Sequence, residues 1–387
     1  MLNIMVAGDV HMSLPNVPRY SKHKLMLARP FPTGKYPFEK FWAPFSSLNA
    51  YQYFWRKYQV VHAFNKIQYT NKPWIITFED NRFLYRTPRN SFDYLVYESL
   101  NNRLGLENCK KMIAISDYAK MRCLNLIRDF KNNLLEKLEH KVDIIYPNFP
   151  IKVKSPKKFE NKQSLQLVFV GHQVARKGGI VALRLAKKAK KMGLPLQIYI
   201  ISALKHGLGV PTDFPDQTKY EDDLKLLDLD NVVYHSSLPN DKVLELLLQS
   251  DFHLLATLHD TYGYSVTESL SLGTPVISTN VCALPESVRH GDNGYVLQLE
   301  LNKLRHWKNW LHEELNTDKY WDILNNTYEY LANQALQLIM EFFERTDRGE
   351  HYESLSAGAL AQALNFNNAE KQNQLFDQLY AEVAGVK

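Results

Sequence analysis

The sequence predicts an α/β fold in which helices cover parallel sheets, divided into two similar domains. Short runs rich in Val, Ile and aromatic residues alternate with stretches of helical periodicity, a pattern typical of parallel strands joined by crossover helices. The alternation begins near residue 4 and begins again at residue 165. The 387 residues, 45% of them hydrophobic, are enough to form two domains with separate cores.

Five runs in the first half have the composition of buried strands. They are Ile4–Ala7, Val60–Ala63, Trp74–Phe78, Met112–Ile115 and Val142–Tyr146. The first run comes at once, without the basic start and long apolar stretch of a signal peptide. Between the first two runs, residues 11–50 are rich in Pro and aromatic residues and show little periodicity. This composition favours a functional loop over a packing element.

A boundary is predicted at Pro150–Asn161, where Pro and Lys residues interrupt the pattern. We expect an N-terminal domain over residues 1–155, a second domain over 156–345, and C-terminal helices over 346–387 that could cross back to the first domain. The second domain is expected to contain five strands, namely Leu165–Gly171, Leu196–Ile201, Val232–His235, Phe252–Ala256 and Pro275–Ser278. Helices are predicted over Leu304–Glu314, Tyr320–Arg345, Leu355–Leu364 and Glu370–Ala384.

Charge is distributed unevenly along the chain. Residues 1–160 carry 26 Lys and Arg against 13 Asp and Glu, whereas the whole chain has a net charge of only +6. A basic first half could contact an anionic membrane or an anionic acceptor, or it could be a solvated surface. No nucleic-acid-binding motif is present, so we expect no nucleic-acid partner. No apolar run reaches the roughly 20 residues of a transmembrane helix.

The three cysteines, Cys109, Cys123 and Cys282, show no paired spacing. This spacing argues against a disulfide framework and against a zinc site. A reducing cytoplasm is the expected compartment, and contact with a membrane would be peripheral.

A glycine turn with two basic residues follows the first strand of the second half. Gly171 and His172 leave the strand, and Arg176 and Lys177 precede the start of a helix. A helix N-terminus offers unpaired N–H groups and partial positive charge to an anion, and the two basic side chains add full charges. The alternative is an ordinary strand-to-helix loop with solvent-facing basic residues.

Two acidic residues bracket a second glycine turn about 90 residues later. Asp260 precedes Gly263, and Glu268 follows about two helical turns further on. The glycine allows a turn that directs backbone N–H groups outward. Either acid taken alone could be a helix cap. Because both loops follow strands of one parallel sheet, together they predict a ligand site at its carboxyl edge.

These motifs resemble those of retaining GT-B glycosyltransferases of the family-4 type. That family carries two acids separated by seven residues, then Gly-x-Pro-Val-Ile and Pro-Glu. Here Asp260 and Glu268 stand at the two acid positions, and Gly273-Thr-Pro275-Val-Ile follows. The resemblance is strong over residues 165–297 and suggestive over 55–150. It implies a GT-B fold, that is, two Rossmann-like domains whose parallel sheets face a cleft.

The resemblance also implies roles for individual residues. Asp260 would contact hydroxyls of the transferred sugar, Glu268 would bind the ribose of a nucleotide, and Lys177 would neutralise the departing diphosphate. Catalysis is therefore expected of Asp260 and Lys177. Donor-binding contacts are expected from Glu268, Arg176, His172, Gly171, Gly263, Tyr264 and Ser265.

The implied activity is transfer of a sugar from a nucleotide diphosphate sugar to a glycan or lipid-linked acceptor, with retention and without a metal or other cofactor. On the acceptor side, His62 and Glu79 each end a predicted strand and could act as a base or hydrogen-bond partner. A satisfied buried polar residue is the alternative for each. His172 and Asp260 replace the family's Arg and Glu, which leaves open a catalytically inactive nucleotide-sugar-binding protein or an epimerase of the same fold.

Two short metal-site patterns are weaker. Asp228-Leu-Asp230 matches a bare DxD motif, but its position before a strand favours a solvated turn. Asp9-Val-His11 follows the first strand as in metallophosphatases, yet the further acidic and histidine blocks of a dimetal centre are missing from the sequence. We therefore expect no metal ligands.

Overall fold

Buried runs of β-branched and aromatic residues form parallel strands in the computed structural model. It describes residues 1–8, 15–28, 57–80, 84, 91–130, 132–159, 164–310 and 314–386. The predictions for Asp9, for His11 and for most of the segment 11–50 fall outside these ranges.

The first sheet contains six strands among the described residues, all parallel, in the spatial order β2-β1-β3-β4-β5-β6. Its central strands β3 and β4 are buried along their whole length, as expected for a parallel sheet. The strands are β1 Asn3–Gly8, β2 Lys24–Leu27, β3 Val60–Phe64, β4 Trp74–Phe78, β5 Cys109–Ala114 and β6 Val142–Ile144. Helices α1 Ser91–Asn102, α2 Asp117–Phe130 and α3 Asn132–Glu139 lie between the later strands.

The second sheet also has six parallel strands in the described part of the chain, in the order β12-β11-β10-β7-β8-β9. They are β7 Leu165–Val170, β8 Leu196–Ile201, β9 Val232–His235, β10 Phe252–Leu255, β11 Val276–Thr279 and β12 Gly294–Leu297. The helices between and after them are α4 Gly179–Lys191, α5 Glu221–Leu224, α6 Asn240–Gln249, α7 Tyr264–Ser271, α8 Leu284–Ser287, α9 Asp318–Glu344, α10 Arg348–Phe366 and α11 Ala369–Val383.

The chain divides into two compact units. One contains Met1–Phe149 together with Phe366–Lys387, and the other contains Pro150–Asn365. These limits differ from the predicted boundaries at 155 and 345, since residues 346–365 lie with the second unit. None of the described helices is both long enough and apolar enough to span a bilayer.

Helix α11 contributes to the core of the first unit. Phe376, Tyr380 and Val383 pack in one buried cluster with residues of the sheet, which are Leu2, Ile4, Val60, Ile75 and Ile113. Burial of one such side chain contributes about 1.5–3 kcal/mol. The last helix is therefore part of this core rather than an appendage.

All ten predicted strands are present, with ends that shift by up to three residues. Two further strands were not predicted. Strand β2 lies in the segment 11–50, where its exposed ends hide the alternation of a buried strand. Strand β12 begins at Gly294, a residue that favours neither strand nor helix.

The prediction of a helix over Leu304–Glu314 is wrong for residues 304–310, which form turns, bends and a β-bridge from Trp307 to Leu301, while residues 311–313 lie outside the described ranges. The Asn302 side chain accepts hydrogen bonds from the amides of Leu304 and His306, at 2.9 and 3.1 Å. Arg305 has φ of +57°, which a right-handed helix does not allow. Local capture of the amides by Asn302 thus replaces the helical hydrogen bonds.

The order of the second sheet determines where a ligand can bind. The chain passes from β7 to β8 and β9 on one side and then returns to β10 on the other side of β7. Ligands in open parallel sheets bind at such a reversal, outside the carboxyl ends of the two strands. The loops after β7 and β10 are the loops that carry the two sequence motifs.

Candidate functional site

The loop after β7 lies directly against the end of β10. Gly178 has φ of +89°, and a Cβ atom at this position would lie 2.3 Å from the carbonyl oxygen of Ala256. Thr257 adds a second link, because its hydroxyl donates to the carbonyl oxygen of Arg176 at 2.8 Å. Glycine at 178 is thus required by both the backbone conformation and the close approach. The two loops form one structural element at the reversal of the sheet.

Asp260 organises the turn that follows β10. Its Oδ1 atom accepts hydrogen bonds from the amides of Tyr262 at 3.4 Å and Gly263 at 3.1 Å. Gly263 has φ of +83° and is the residue before helix α7. A carboxylate that accepts backbone amides at a helix start stabilises the turn and holds its own orientation.

The other carboxylate oxygen of Asp260 binds Lys177. The Lys177 Nζ atom lies 2.5 Å from Asp260 Oδ2. Lys177 also fills the space beside Gly171, where an added Cβ would lie 2.9 Å from the Lys177 Cβ. The two residues that the sequence singled out for catalysis therefore form an ion pair.

The pKa of Asp260 lies below its usual value. Burial alone would raise this pKa, but the charge and hydrogen bond of Lys177, the amide of Tyr262 and the charge of Arg176 outweigh burial. Asp260 is therefore ionised at neutral pH and can only accept hydrogen bonds.

Arg176 is close enough for its charge to act on Asp260, and its Nη1 atom donates to Gln173 Oε1 at 3.1 Å. His172 is exposed, and its carbonyl oxygen accepts from the amide of Lys205 at 3.1 Å. Arg176 thus adds positive charge to the site, whereas the contacts of His172 fix the turn through its backbone.

Helix α7 carries the remaining residues of the second motif. Tyr264 and Ser265 are its first two residues and are both partly exposed. Glu268 lies on the second turn, where its Oε1 accepts a hydrogen bond from Asn240 Nδ2 at 3.4 Å. Asn240 is the first residue of α6. This contact of Asn240 with Glu268 was not predicted from the sequence.

His62 is a buried polar residue whose hydrogen bonds are made within the protein, which was the alternative to a role on the acceptor side. It has no exposed surface, and its ring nitrogens form hydrogen bonds with the hydroxyl groups of Tyr380 at 2.7 Å and Thr77 at 2.8 Å. Burial lowers its pKa to about 3. Because both nitrogens are engaged within the first unit, His62 has no atom left for an acceptor. The expected role as an acceptor-side base is therefore corrected to a structural one.

Glu79 follows β4 directly and is partly exposed. Its amide donates to Asn65 Oδ1 at 3.1 Å. Asp230 of the DxD pattern is exposed and pairs with Lys190 at 2.9 Å. Asp228 ends a short 3-10 helix. The DxD pattern thus forms the solvated turn that the sequence favoured.

Two features near the site have no signal in the sequence. His253 lies at the centre of β10 with no exposed surface. His259, Cys282 and His306 bring their side-chain N and S atoms within 4.8 Å of one another. These three residues are 23 and 24 positions apart, so no short spacing could reveal the cluster.

The site has the charge distribution of an anion-binding site. Lys177 and Arg176 supply two positive charges against the one negative charge of Asp260, and the N-terminus of α7 adds a partial positive charge. The preorganised carboxylate can accept hydrogen bonds from hydroxyl groups. Such a combination suits a ligand that has both hydroxyl and phosphate groups.

Comparison with known proteins gives a family match over most of the second unit. Residues 151–304 match the family described as "Glycosyl transferases group 1". A stretch of 59 residues is 39% identical to the N-acetyl-alpha-D-glucosaminyl L-malate synthase of Bacillus anthracis. The match spans only 15% of this chain and 16% of the length of that relative.

Solved structures resemble the whole chain. HepE of Anabaena, in complex with UDP, superposes with a TM-score of 0.57 at 12% identity over 99% of this chain and 100% of that chain. Sucrose-phosphate synthase of Thermosynechococcus elongatus has a TM-score of 0.57 at 13% identity, with 99% of each chain covered. The two sheets of parallel strands and their helices confirm the fold class expected from the sequence. Residues 151–304 therefore resemble the glycosyl transferases group 1 family, and the chain has the GT-B fold.

Proposed function

We propose that this protein transfers a sugar from a nucleotide diphosphate sugar to a glycan or lipid-linked acceptor, with retention of the anomeric configuration. The observation that carries the proposal is the ion pair of Lys177 with Asp260, at 2.5 Å, where the order of the second sheet reverses. HepE, which has a similar fold, is known in complex with UDP and with UDP-glucose, and this supports a nucleotide sugar as donor.

The proposed donor lies with its diphosphate beside Lys177 and the N-terminus of α7. Lys177 and Arg176 place two positive charges beside the two negative charges of the diphosphate, and Asp260 offsets one of these positive charges. The amides of Tyr264 and Ser265, which follow Gly263, face the same anion in this proposal, with Gly171 and His172 at the start of the opposite loop. Fixed positive charge placed where negative charge develops is an effective source of rate enhancement.

Asp260 receives the transferred sugar. As an ionised carboxylate held by two amides and one ammonium, it accepts hydrogen bonds from sugar hydroxyls without having to reorient. A preorganised acceptor of this kind positions the anomeric carbon at low entropic cost. The shorter side chain of Asp, compared with the Glu typical of the resembling family, then selects which sugar fits.

Glu268 binds the ribose of the nucleotide. Asn240 donates to Glu268 Oε1 and so orients the carboxylate. A carboxylate oriented in this way can accept hydrogen bonds from two neighbouring hydroxyl groups, which suits the 2′ and 3′ hydroxyls of a ribose. Asn240 is therefore a positioning residue for the nucleotide.

The proposed reaction is direct transfer on one face of the sugar. The bond from the anomeric carbon to the diphosphate oxygen breaks, and a bond to the acceptor oxygen forms on the same face. The acceptor proton moves to the departing diphosphate, which Lys177 stabilises. The ammonium group supplies the charge that a metal supplies in other transferases, so the proposal requires no metal for this step.

The proposal includes a cytoplasmic location and peripheral contact of the basic first part with an anionic membrane. The three cysteines, Cys109, Cys123 and Cys282, form no disulfide and are buried, which supports a reducing compartment. The excess of 26 basic over 13 acidic residues in residues 1–160 supports the contact. Binding to vesicles with phosphatidylserine but not to neutral vesicles, and its loss at high salt, is the expected result; equal binding to both kinds of vesicle contradicts it.

A thermal-shift panel of UDP-, GDP-, ADP- and dTDP-sugars tests the donor site. A donor at about 100 times its Kd adds roughly 2.7 kcal/mol of stability, so one nucleotide class should raise the melting temperature clearly. Lys177→Ala and Glu268→Gln should remove most of this shift. The exposed residues Lys187 and Glu245 provide matched controls, and Lys187→Ala and Glu245→Gln should retain the shift. No shift with any nucleotide sugar would refute the proposal.

Turnover separates transfer from the two alternatives of the same fold. Slow release of nucleotide diphosphate from the bound donor, with water as acceptor, is expected from a transferase. A donor that is bound but never consumed would indicate an inactive binding protein. Conversion into another nucleotide sugar without an acceptor would indicate an epimerase.

A further inference from the structure

Three side chains with metal-binding atoms meet beside the donor site, in loops that follow adjacent strands. His259 follows β10, Cys282 follows β11, and His306 lies in the turns after β12. Their nitrogen and sulfur atoms all lie within 4.8 Å of one another. Cys282 and His306 are fully buried, and His259 is partly buried. The parallel order of β10, β11 and β12 brings these loops to one edge of the sheet.

The two imidazole rings have the separation that a shared metal ion requires. Their centroids are 5.4 Å apart, with 58° between the ring planes. Two imidazoles bound to one zinc ion through Zn–N bonds of about 2.0 Å have centroids roughly 5 Å apart. Ligand atoms around tetrahedral zinc are about 3.3–3.8 Å from one another, so a spread of 4.8 Å closes with side-chain movements of roughly 1 Å.

Trp310 fixes the orientation of both rings. It stacks on His259, with centroids 4.9 Å apart and 10° between planes, and it meets His306 edge to face at 3.9 Å. A stacked ring presents its nitrogens at the edge of the stack rather than beneath the indole. An indole over one face also excludes water from that side of the ligand atoms.

The backbone holds the cysteine and the second histidine together. The amide of Cys282 donates to the carbonyl oxygen of Arg305 at 2.7 Å. Both residues have positive φ values, +54° for Cys282 and +57° for Arg305. Asn302 accepts the amide of His306. Non-glycine residues keep such conformations only where the surrounding structure determines them, so the positions of Cys282 and His306 are closely fixed.

We propose that His259, Cys282 and His306 bind one Zn²⁺ ion, with water as the fourth ligand. Two imidazole nitrogens and one thiolate form a donor set that suits zinc and disfavours the hard cations Mg²⁺ and Ca²⁺. Binding transfers the thiol proton of Cys282 to solvent, so zinc affinity rises with pH. The ion joins the loops after β10, β11 and β12, and it lies outside the proposed transfer step.

This inference differs from the expectation drawn from the sequence, which gave no metal ligands. That expectation rested on the absence of paired spacing among the cysteines, and the fold supplies the second and third ligands from distant positions. Closed zinc motifs with short spacing are only one way to build such a site.

The test uses the full chain without an affinity tag, since a histidine tag binds zinc. Metal-free protein prepared with a chelator is titrated with Zn²⁺ against a chromophoric competitor, and bound metal is counted by elemental analysis. One equivalent per chain is expected. Cys282→Ser and His306→Gln should each weaken binding at least about 100-fold, since even changes around a ligand cost 10–100-fold. Cys109→Ser, which changes another buried free cysteine, should bind zinc as the parent does.

Cobalt gives a readout that does not depend on activity. Co²⁺ should produce a thiolate-to-metal charge-transfer band in the parent and in His306→Gln at high metal concentration, but not in Cys282→Ser. Circular dichroism of each variant checks that it folds. Less than a tenth of an equivalent of bound zinc in the parent, or unchanged zinc affinity in folded Cys282→Ser, would overturn the proposal.

Discussion

The ammonium group of Lys177 lies 2.5 Å from the carboxylate of Asp260, although 83 positions separate the two residues in the sequence. The pair connects the loop after β7 with the loop after β10, across the reversal of the second sheet. Asp260 is simultaneously held by the amide of Gly263. The carboxylate of Asp260 therefore fixes the position of the Lys177 charge, the turn after β10 and the start of helix α7.

A double-mutant cycle should show strong coupling in this pair. Lys177→Met leaves the buried Asp260 without the ammonium charge of Lys177, and Asp260→Asn leaves the ammonium without its partner. Each single substitution should therefore lower the free energy of unfolding by more than half of the loss that the double substitution causes. We expect a coupling energy of about 1–3 kcal/mol by urea unfolding without ligand.

The exposed pair of Lys242 and Glu245, at 2.7 Å, is the control for this cycle. Its coupling should stay below about 0.5 kcal/mol because water screens both groups. Equal coupling in the two pairs would contradict the assignment of Lys177 and Asp260 as a partly buried, oriented pair.

Substitution of Gly178 should separate backbone strain from steric contact. Gly178→Ala adds a Cβ atom 2.3 Å from the carbonyl oxygen of Ala256 at a φ of +89°. Gly193→Ala, at the end of the same helix α4, has a φ of +68° and meets nothing within 4 Å. We expect a loss of about 1 kcal/mol for Gly193→Ala and at least about 3 kcal/mol for Gly178→Ala in urea unfolding. Similar losses of stability in the two variants would show that the loops after β7 and β10 can move apart without a cost in free energy.

Stability should fall as pH is lowered below about 6.5. Burial lowers the pKa of both His62 and His253 to about 3. Unfolded histidine has a pKa of about 6.5, so between pH 6.5 and 3 the unfolded chain binds more protons. Each residue then lowers the free energy of unfolding by up to about 1.4 kcal/mol for each unit by which the pH falls. Above pH 7.5, neither residue contributes to the slope of the free energy of unfolding against pH.

Urea unfolding at pH 7.5, 6.0 and 5.0 measures this slope. His253→Leu should reduce the slope in the unit Pro150–Asn365, which contains this residue. A slope that His253→Leu does not alter would exclude a role for this imidazole.

The same substitution should have opposite effects at the two buried histidines. Neither ring nitrogen of His253 has a hydrogen-bond partner among the described residues. His253→Leu removes two buried unsatisfied atoms and should raise the free energy of unfolding at pH 7.5 by about 1–2 kcal/mol. His62→Leu instead leaves the hydroxyl groups of Tyr380 and Thr77 buried without their partner and should lower it by about 2–4 kcal/mol. A gain at position 62 would contradict the structural role given to this residue.

The fold and the central pair could be predicted from the sequence because their signals are local. Alternating strands and helices, a glycine after each strand, and an acid beside the second glycine indicate which loops meet once the sheet is assumed parallel. Lys177 and Asp260 are brought together by that rule alone. The meeting of parallel strand ends at one edge of the sheet, rather than any feature of the two side chains, makes the contact predictable.

The unpredicted features depend on contacts between distant loops. Asn240 reaches Glu268 from another helix, and Cys282 reaches His306 because Arg305 and Cys282 adopt positive φ values. The incorrect prediction of a helix over Leu304–Glu314 has a similar cause. The hydrogen bonds from backbone amides to the Asn302 side chain cannot be detected from the hydrophobic periodicity of the sequence. Side-chain competition for backbone amides overrides periodicity wherever the competing side chain is short and polar.

The packing of helix α11 against β1 and β3 constrains the order in which the chain can mature during translation. Residues of Pro150–Asn365 are all synthesised before Phe376, Tyr380 and Val383. The apolar residues Leu2, Ile4 and Val60 therefore lack their last packing partners until the end of synthesis, and meanwhile they depend on protection from aggregation.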